Sequence, residues 1–416
     1  MTVAQQDPMR LGFKPLKSLD DALAELLTHA QTLDGVDLIS TFEADGRVLA
    51  QDLLSTLQVP PQDNSSMDGY ALRCADLLQG QALPVSQRIA AGSHGTALEP
   101  LSIARIFTGA PIPPGADAVV MQEACEVLED GRVLVKTAVE SGQWIRRAGE
   151  DVRQGAVVLA KGERLSPASL GMAAGIGLAE LPVRRQPRVA LLSTGDELVM
   201  PGTVAPEDMA PGVIYNSNRF FLKALLERLG CAVTDMGIVP DQRDATMQAL
   251  RLASQAHDLI LTSGGVSVGE EDHIKPAVQA LGHLDLWQIA MKPGKPFAYG
   301  QVGAAHFMGL PGNPVSSYVT FLLLVRPFLL KLQGVCRLGW AAQRRCADFD
   351  WPRADKRREF LRVRINDQGG LDLFANQSSG VLSSAVWSDG LVDNPAGQTI
   401  ARGDMVQFLP FSGVLA

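Results

Sequence analysis

From Ser18 onward, Ala22, Leu23, Leu26, Leu27 and Ala30 recur at helical spacing on one face, and Asp20 and Asp21 suit the positive first turn of a helix. Ser18 with Asp21 makes a capping box. Between Gln58 and Val139 the pattern shortens to β-prone runs, Arg105–Phe107, Ala118–Met121 and Arg132–Val135, divided by Gly, Pro and Asp clusters. This predicts a small strand-rich domain. Gly149–Gly177 mixes turns with a helix after Pro167, whose fixed φ suits a first helical turn.

From Gln186 to Gly334 buried-strand candidates alternate with helix-length segments, the pattern of a parallel α/β sheet. The expected strands are Arg188–Ser193, Cys231–Gly237, Asp258–Thr262, Asp285–Gln288 and His306–Gly309; the helices are Ser217–Leu229, Asp244–Gln255 and Pro314–Leu330. After Val335 strands return, with alternation in Glu359–Ile365 and Leu371–Phe374 and a last strand at Asp404–Leu409, which predicts a C-terminal β domain.

A chain of 416 residues implies roughly two to four domains. With 46% hydrophobic and 20% charged residues it folds rather than staying disordered. A net charge of −8 argues against a broad nucleic-acid surface, so an anionic ligand must be met by a local basic pocket. The five cysteines lie far apart, without metal-type spacing against the histidines, which disfavours a zinc site or a disulfide framework. The first residues lack the apolar stretch of a signal peptide. The most apolar run, Tyr318–Val325, meets Arg326 and Pro327 well short of the ~20 residues a bilayer demands. The expectation is a cytoplasmic protein without a membrane partner.

Ligands of open parallel sheets sit beyond the carboxyl ends of the strands. There the sequence places Thr194-Gly195-Asp196-Glu197, Pro240-Asp241, Ser263–Gly269 and Leu310-Pro311-Gly312-Asn313-Pro314. The Ser263–Gly269 run, with Gly264 and Gly265, reads either as a phosphate or oxyanion cradle or as an ordinary strand–helix turn. Glu270, Glu271 and Asp272 offer hard oxygens for Mg²⁺ or simply an acidic helix start. Lys292-Pro293-Gly294-Lys295-Pro296 holds two ammonium groups on a proline-stiffened segment that suits an anion, against the plainer reading of a solvated loop. Asn313 and Pro314 suit the N-cap and first turn of the next helix. Earlier, Asp63–Tyr70 carries Met67 and Tyr70 in a polar turn on which something packs, and Thr108–Asp117 is either a rigid hairpin connection or a ligand-facing turn. His273 gains no catalytic role, and covalent catalysis through a thiolate is disfavoured because no Cys has a neighbouring His.

The ordered motifs DNSSMDGYA (63–71), FTGAPIPPGADAVV (107–120), AGEDVRQGAVVLAKGERLSP (148–167), STGDEL (193–198), SNRFFL (217–222), TSGGVSVGEEDH (262–273), MKPGKPFAYG (291–300) and GLPGNPVSS (309–317) closely resemble the molybdopterin molybdenumtransferases, the MoeA proteins related to the gephyrin E domain. The resemblance spans nearly the whole chain. It implies an α/β multidomain fold, an elongated protomer of four parts. These are a connecting arm (12–57 with 145–185, its N-terminal helix free to pack on the α/β domain), a β-rich second domain (58–144), a molybdopterin-binding-like α/β domain (186–334) and a C-terminal β domain (335–416).

The reaction so implied inserts molybdenum from molybdate into adenylylated molybdopterin and releases AMP with the help of Mg²⁺. By the same resemblance Asp63 and Thr108 face the substrate, and Glu197, Asp241 and Asp272 hold Mg²⁺ or position water. Ser263, Gly264 and Gly265 form the phosphate turn, and Lys292 and Lys295 meet oxyanion and phosphate. Pro311, Pro314, Arg357 and Ser378 complete the substrate contacts. Two departures stand out: Ser66 where the family commonly has Ala, and Lys356-Arg357-Arg358-Glu359-Phe360 for the family's Gly-Arg-x-Glu-Phe, with Ser378 or Ser379 following. The implied assembly is a homodimer whose site is shared between chains, with the molybdopterin adenylyltransferase as a candidate partner. The rivals are a gephyrin-like scaffold and the preceding adenylyltransferase step. The acidic and lysine positions weigh against the first, and the domains at 58–140 and 335–416 against the second.

Overall fold

The computed structural model describes residues 16–265 and 273–415. Their contacts form two compact units. One comprises the chain up to Asp37, Gly46–Ala50 and Val183 onward; the other comprises Leu38–Asp45 and Gln51–Pro182.

The larger unit is built on a six-stranded sheet of β1 (Arg188–Thr194), β2 (Ala232–Val239), β3 (Leu259–Ser263), β4 (Gly282–Gln288), β5 (Pro296–Val302) and β6 (Ala305–Leu310), in the order β2-β1-β3-β6-β5-β4. The first four in that order run parallel, as expected, whereas β4 pairs antiparallel with β5 and β5 with β6, so the sheet is mixed. Strand β5 escapes the sequence reading because Pro296 and Gly300 within it, with Pro293 and Gly294 just before it, suggest a stiff loop. In the sheet Pro296 opens the strand, a position where a missing N–H is tolerated.

Alternation along β1 sorts its residues between two cores. Val189 and Leu191 pack with Leu19, Ala22 and Leu26 of α1 (Leu19–His29), Leu222 and Leu226 of α2 (Ser217–Arg228), and Phe328. Ala190 and Leu192 face Leu250 and Ala253 of α3 (Arg243–Ala256) and Ala277 and Val278 of α4 (Ile274–Leu281). At the start of α1, Ser18 Oγ accepts the Asp21 N–H at 3.0 Å, the expected cap. A continuous helix, α5 (Pro314–Leu332), runs through Arg326 and Pro327 and ends just beyond the expected Leu330. A π turn at Phe321–Val325 precedes the proline, which removes the need for its missing N–H. Of the helices among the described residues, α5 alone is long and apolar enough to cross a membrane; it is mostly buried inside this unit, the setting of a core helix.

The same unit holds a second sheet made by the short strand Met291–Lys292, β7 (Gln343–Cys346), β8 (Arg358–Ile365), β9 (Gly390–Asn394) and β10 (Met405–Pro410), over a core of Phe349, Leu361, Val363, Val392 and Phe408. Met291–Lys292 pairs parallel with β8, so the C-terminal sheet reaches back into the α/β part.

The smaller unit contains a four-stranded sheet in the order Val85–Ile89, Ile103–Ile106, Gly69–Leu72, Ala118–Met121. Tyr70 and Leu72 enter one core and Ala71 the other, the same two-face alternation.

At the amino edge of the main sheet, Asp258 receives Arg185 Nη1 and Nη2 at 2.8 and 2.9 Å and the Arg188 N–H at 2.8 Å. Burial raises its pKa, but the Arg185 fork and the Arg188 N–H outweigh that, and the carboxyl lies below its ordinary value. A depressed folded pKa adds stability above the unfolded value and loses it as pH falls through the folded one. Asp258→Asn should therefore cost about 2 kcal/mol at pH 7 and flatten the fall of stability below roughly pH 4. Urea unfolding at a series of pH values measures both; parallel wild-type and variant curves would contradict the assignment.

Candidate functional site

The register of the main sheet decides which loops meet. Strands β1, β3 and β6 end on one edge, and because Ala298 of β5 lies opposite Gly309 of β6, the segment before β5 arrives at that edge too. Glu197, Asp241, Ser263–Gly265, Pro311, Pro314 and Lys292–Lys295 are thereby gathered at one edge, on five different loops.

Their local contacts are specific. Asn218, at the start of α2, donates from Nδ2 to Ser263 Oγ at 2.8 Å and to the Gly312 carbonyl at 2.7 Å, tying the turns after β3 and β6 together. The Gly264 N–H extends the ladder to the Leu310 carbonyl at 3.1 Å, so that amide is already used. Gly264 has φ +94°, and a Cβ there would lie 2.9 Å from the Thr194 carbonyl oxygen; the turn after β3 presses on the end of β1 closely enough to require glycine. Ser193 Oγ, Thr194 Oγ1 and Thr262 Oγ1 are buried at these ends without a partner among the described residues. Asp196 Oδ1 accepts the Asp241 N–H at 3.2 Å, linking the loops after β1 and β2. The Glu197 carboxylate folds over Gly195, where any Cβ would overlap it. Asp272 lies outside the described residues, with Glu270 and Glu271. Among the described residues no cluster of three His, Cys, Asp or Glu could hold a metal. Asn313 stands at the N-cap of α5 and Pro314 opens it, as expected, though the Asn313 side chain makes no cap bond.

The two lysines differ. Lys295 is exposed and makes no ion pair among the described residues. Lys292 donates from Nζ to Glu359 Oε1 at 3.0 Å and lies 3.3 Å from Asp355 Oδ2. Arg357 is occupied as well: its Nε and Nη2 grip Asp355 at 3.0 and 2.9 Å, and that fork holds the Asp355 carboxyl well below the usual range. The arginine that reaches the Ser378 loop is Arg362, 1% exposed, donating from Nη1 to the Phe360 carbonyl at 3.0 Å, from Nε to Ser384 Oγ at 3.2 Å and from Nη2 to the Ser378 carbonyl at 3.4 Å. Burial lowers its pKa to about 10. Ser378 itself is exposed, and the neighbouring Ser379 carbonyl accepts the Val315 N–H at 2.9 Å at the start of α5. Sequence reasoning singled out Arg357 by motif. The signal for Arg362 was a charge in the phase of Phe360 inside an apolar strand.

In the smaller unit the two early motifs form one surface. The Ile112 N–H reaches the Asp63 carbonyl at 3.0 Å and the Gly109 N–H the Ser65 carbonyl at 2.8 Å. Asp63 accepts the Ala148 N–H at 2.8 Å and Arg147 Nη1 at 2.6 Å; those bonds, the Ala148 one foremost, hold its carboxyl below the ordinary value. Thr108 donates both its N–H and its hydroxyl to Asp68 Oδ1 at 2.8 Å, which keeps the Asp68 carboxyl low and leaves only lone pairs on the Thr108 hydroxyl. Asp68 and Arg147 sit inside or beside the recognised motifs, yet nothing in their local pattern tells them from ordinary turn residues.

Residues 17–177 match the MoeA N-terminal region (domain I and II), 190–331 a probable molybdopterin binding domain, and 345–411 the MoeA C-terminal region (domain IV). The chain is 40% identical over 408 residues to a molybdopterin molybdenumtransferase of Haemophilus influenzae, covering 96% of this chain and 99% of that one. To the molybdopterin molybdenumtransferase of Synechococcus elongatus it is 36% identical over 403 residues, 92% and 96% of the two chains. The crystal structure of the molybdopterin biosynthesis moeA protein from Pyrococcus horikoshii OT3 superposes with a TM-score of 0.81 at 28% identity, covering 95% of this chain and 99% of that one.

Because Asn218 bridges Ser263 and Gly312, Asn218→Ala should leave the buried Ser263 hydroxyl short of a donor and cost about 1–3 kcal/mol. Thermal unfolding measures the loss, and hydrogen exchange should show faster exchange confined to the turns after β3 and β6. Unchanged protection there would show that the turns are held otherwise.

Proposed function

The chain belongs to the MoeA family, and from that premise we propose how it performs its reaction. It is a molybdopterin molybdenumtransferase of molybdenum cofactor biosynthesis. The finer proposal is that the molybdopterin substrate is adenylylated, that molybdate supplies the metal, and that AMP leaves. The observation that carries it is the convergence of a glycine turn, carboxylates and lysines at one sheet edge.

In this reading the Ser263–Gly265 turn receives a phosphate: the Ser263 hydroxyl, accepting from Asn218, keeps its proton to donate, and glycine leaves no side chain to block approach. Lys295, exposed and uncompensated by the described residues, draws in an oxyanion, while Lys292 presents an ammonium already braced by carboxylates. Hard oxygens suit Mg²⁺, and Glu197 and Asp241, together with Asp272, are the residues proposed to hold it. When bound, that ion neutralises charge on the phosphoanhydride. Asp196 keeps the Asp241 loop against the end of β1. The exposed Thr108 hydroxyl, its proton spent on Asp68, accepts a donor from the substrate. We further propose a cytoplasmic homodimer in which the Asp63 and Thr108 surface of one chain serves the sheet edge of its partner, with the adenylyltransferase that makes the substrate as an upstream partner.

Purified protein given adenylylated molybdopterin, Mg²⁺ and molybdate should release AMP in proportion to molybdenum bound, and chelation of Mg²⁺ should stop release. Asp241→Asn should raise the Mg²⁺ needed several-fold, roughly the effect of losing one hard ligand; release that is indifferent to Mg²⁺ would refute the metal assignment. For the shared site, inactive Asp63→Ala and Asp241→Ala chains, co-expressed with two different tags, should regain part of the activity in the doubly tagged dimer. Doubly tagged dimers as inactive as either parent would mean that both residues act within one chain.

A further inference from the structure

Glu359 is a carboxylate in the interior of the C-terminal sheet, 1% exposed, and it lies in the strand phase of the apolar Leu361 and Val363. Register places it between Lys292 on one neighbouring strand and Asn394 on the other, so the three form a cross-strand polar row. Both carboxylate oxygens are engaged: Oε1 by Lys292 Nζ at 3.0 Å, Oε2 by Trp351 Nε1 at 2.7 Å, with Asn394 Nδ2 at 3.5 Å. A buried carboxylate is costly unless paired in this way, and its two-sided grip stops it from turning.

Lys292 has three donors. One goes to Glu359, and a second faces Asp355, which Arg357 already fixes bidentately. The third has no acceptor among the described residues, and the side chain is 40% exposed at the same edge as the Ser263–Gly265 turn. An unbraced lysine would have to give up its rotamer freedom on meeting an anion; this one is ordered when the protein folds.

We propose that Glu359 is a positioning residue: through the register of β8 it fixes the Lys292 ammonium so that the remaining N–H is presented to the oxyanion at the sheet edge. The proposal rests on the reading of Lys292 as an anion ligand. It also separates positioning from simple electrostatics. Removing the negative charge of Glu359 makes the site more positive, so a purely coulombic role predicts tighter anion binding in Glu359→Gln, whereas loss of positioning predicts weaker binding.

The test measures AMP release by the full-length protein as a function of molybdate. Glu359→Gln should raise half-saturating molybdate about tenfold and leave half-saturation by adenylylated molybdopterin unchanged, a split that mere loss of stability would not produce. In a Lys292→Ala background, itself raised, the further Glu359→Gln change should add little, since the residue acts through the lysine. A molybdate requirement that falls or stays level in Glu359→Gln, or an effect that persists undiminished without Lys292, overturns the proposal while leaving the anion-ligand reading intact. If Lys292→Ala alone leaves molybdate dependence unchanged, the anion-ligand reading fails and the proposal with it. Should Glu359→Gln not fold, Glu359→Asp keeps the charge on a shorter arm; a folded Glu359→Asp protein with wild-type molybdate dependence overturns the proposal, and a raised requirement upholds it.

Discussion

Val189 and Leu191 press to one side of the main sheet while Ala190 and Leu192 press to the other, and a strand covered on both faces can meet a polar ligand only where it ends. The candidate groups at the edge of the main sheet follow from this. The turns after β1, β2, β3 and β6 carry the acids and glycines, and the reversal through β5 returns the lysine segment to the same edge. Close packing at that edge then sets the residue type: Gly264 is glycine because the Thr194 carbonyl leaves no room for a Cβ.

The C-terminal sheet adds a second level of order. By pairing Met291–Lys292 with β8 it turns a loop lysine into a member of a polar row, and through Arg362 and the Ser379 carbonyl it holds the Ser378 loop against the start of α5. The positive charges at the edge are therefore unequal. Lys292 and Arg357 already have carboxylates, while Lys295 has none among the described residues. Charge of one sign is thus divided between bracing and recognition. The smaller unit applies the same economy, since Asp68 takes the Thr108 proton and Arg147 with the Ala148 N–H hold Asp63 ionised.

Much of this organisation was legible in the residues themselves. The helix cap at Ser18, the alternating α/β segments, the Asn313-Pro314 helix start and the eight motifs depend on periods and turn chemistry that act over a few neighbours, and the family follows from the motifs. The reading failed where a local cue was ambiguous: Pro296 and Gly300 of β5, with Pro293 and Gly294 just before them, looked like a loop.

What only the tertiary structure decided was which of several like residues is free and which is held. Lys292 and Lys295 are equal in sequence, and so are Arg357 and Arg362 as neighbours of the same motif. Register puts Glu359, 67 positions away, beside Lys292, and burial puts Arg362 under the Ser378 loop. Hydrophobic periodicity is a property of a single segment and can be read along it. Ion pairing is a through-space property of two segments, and until they pack, the sequence leaves every lysine with every carboxylate.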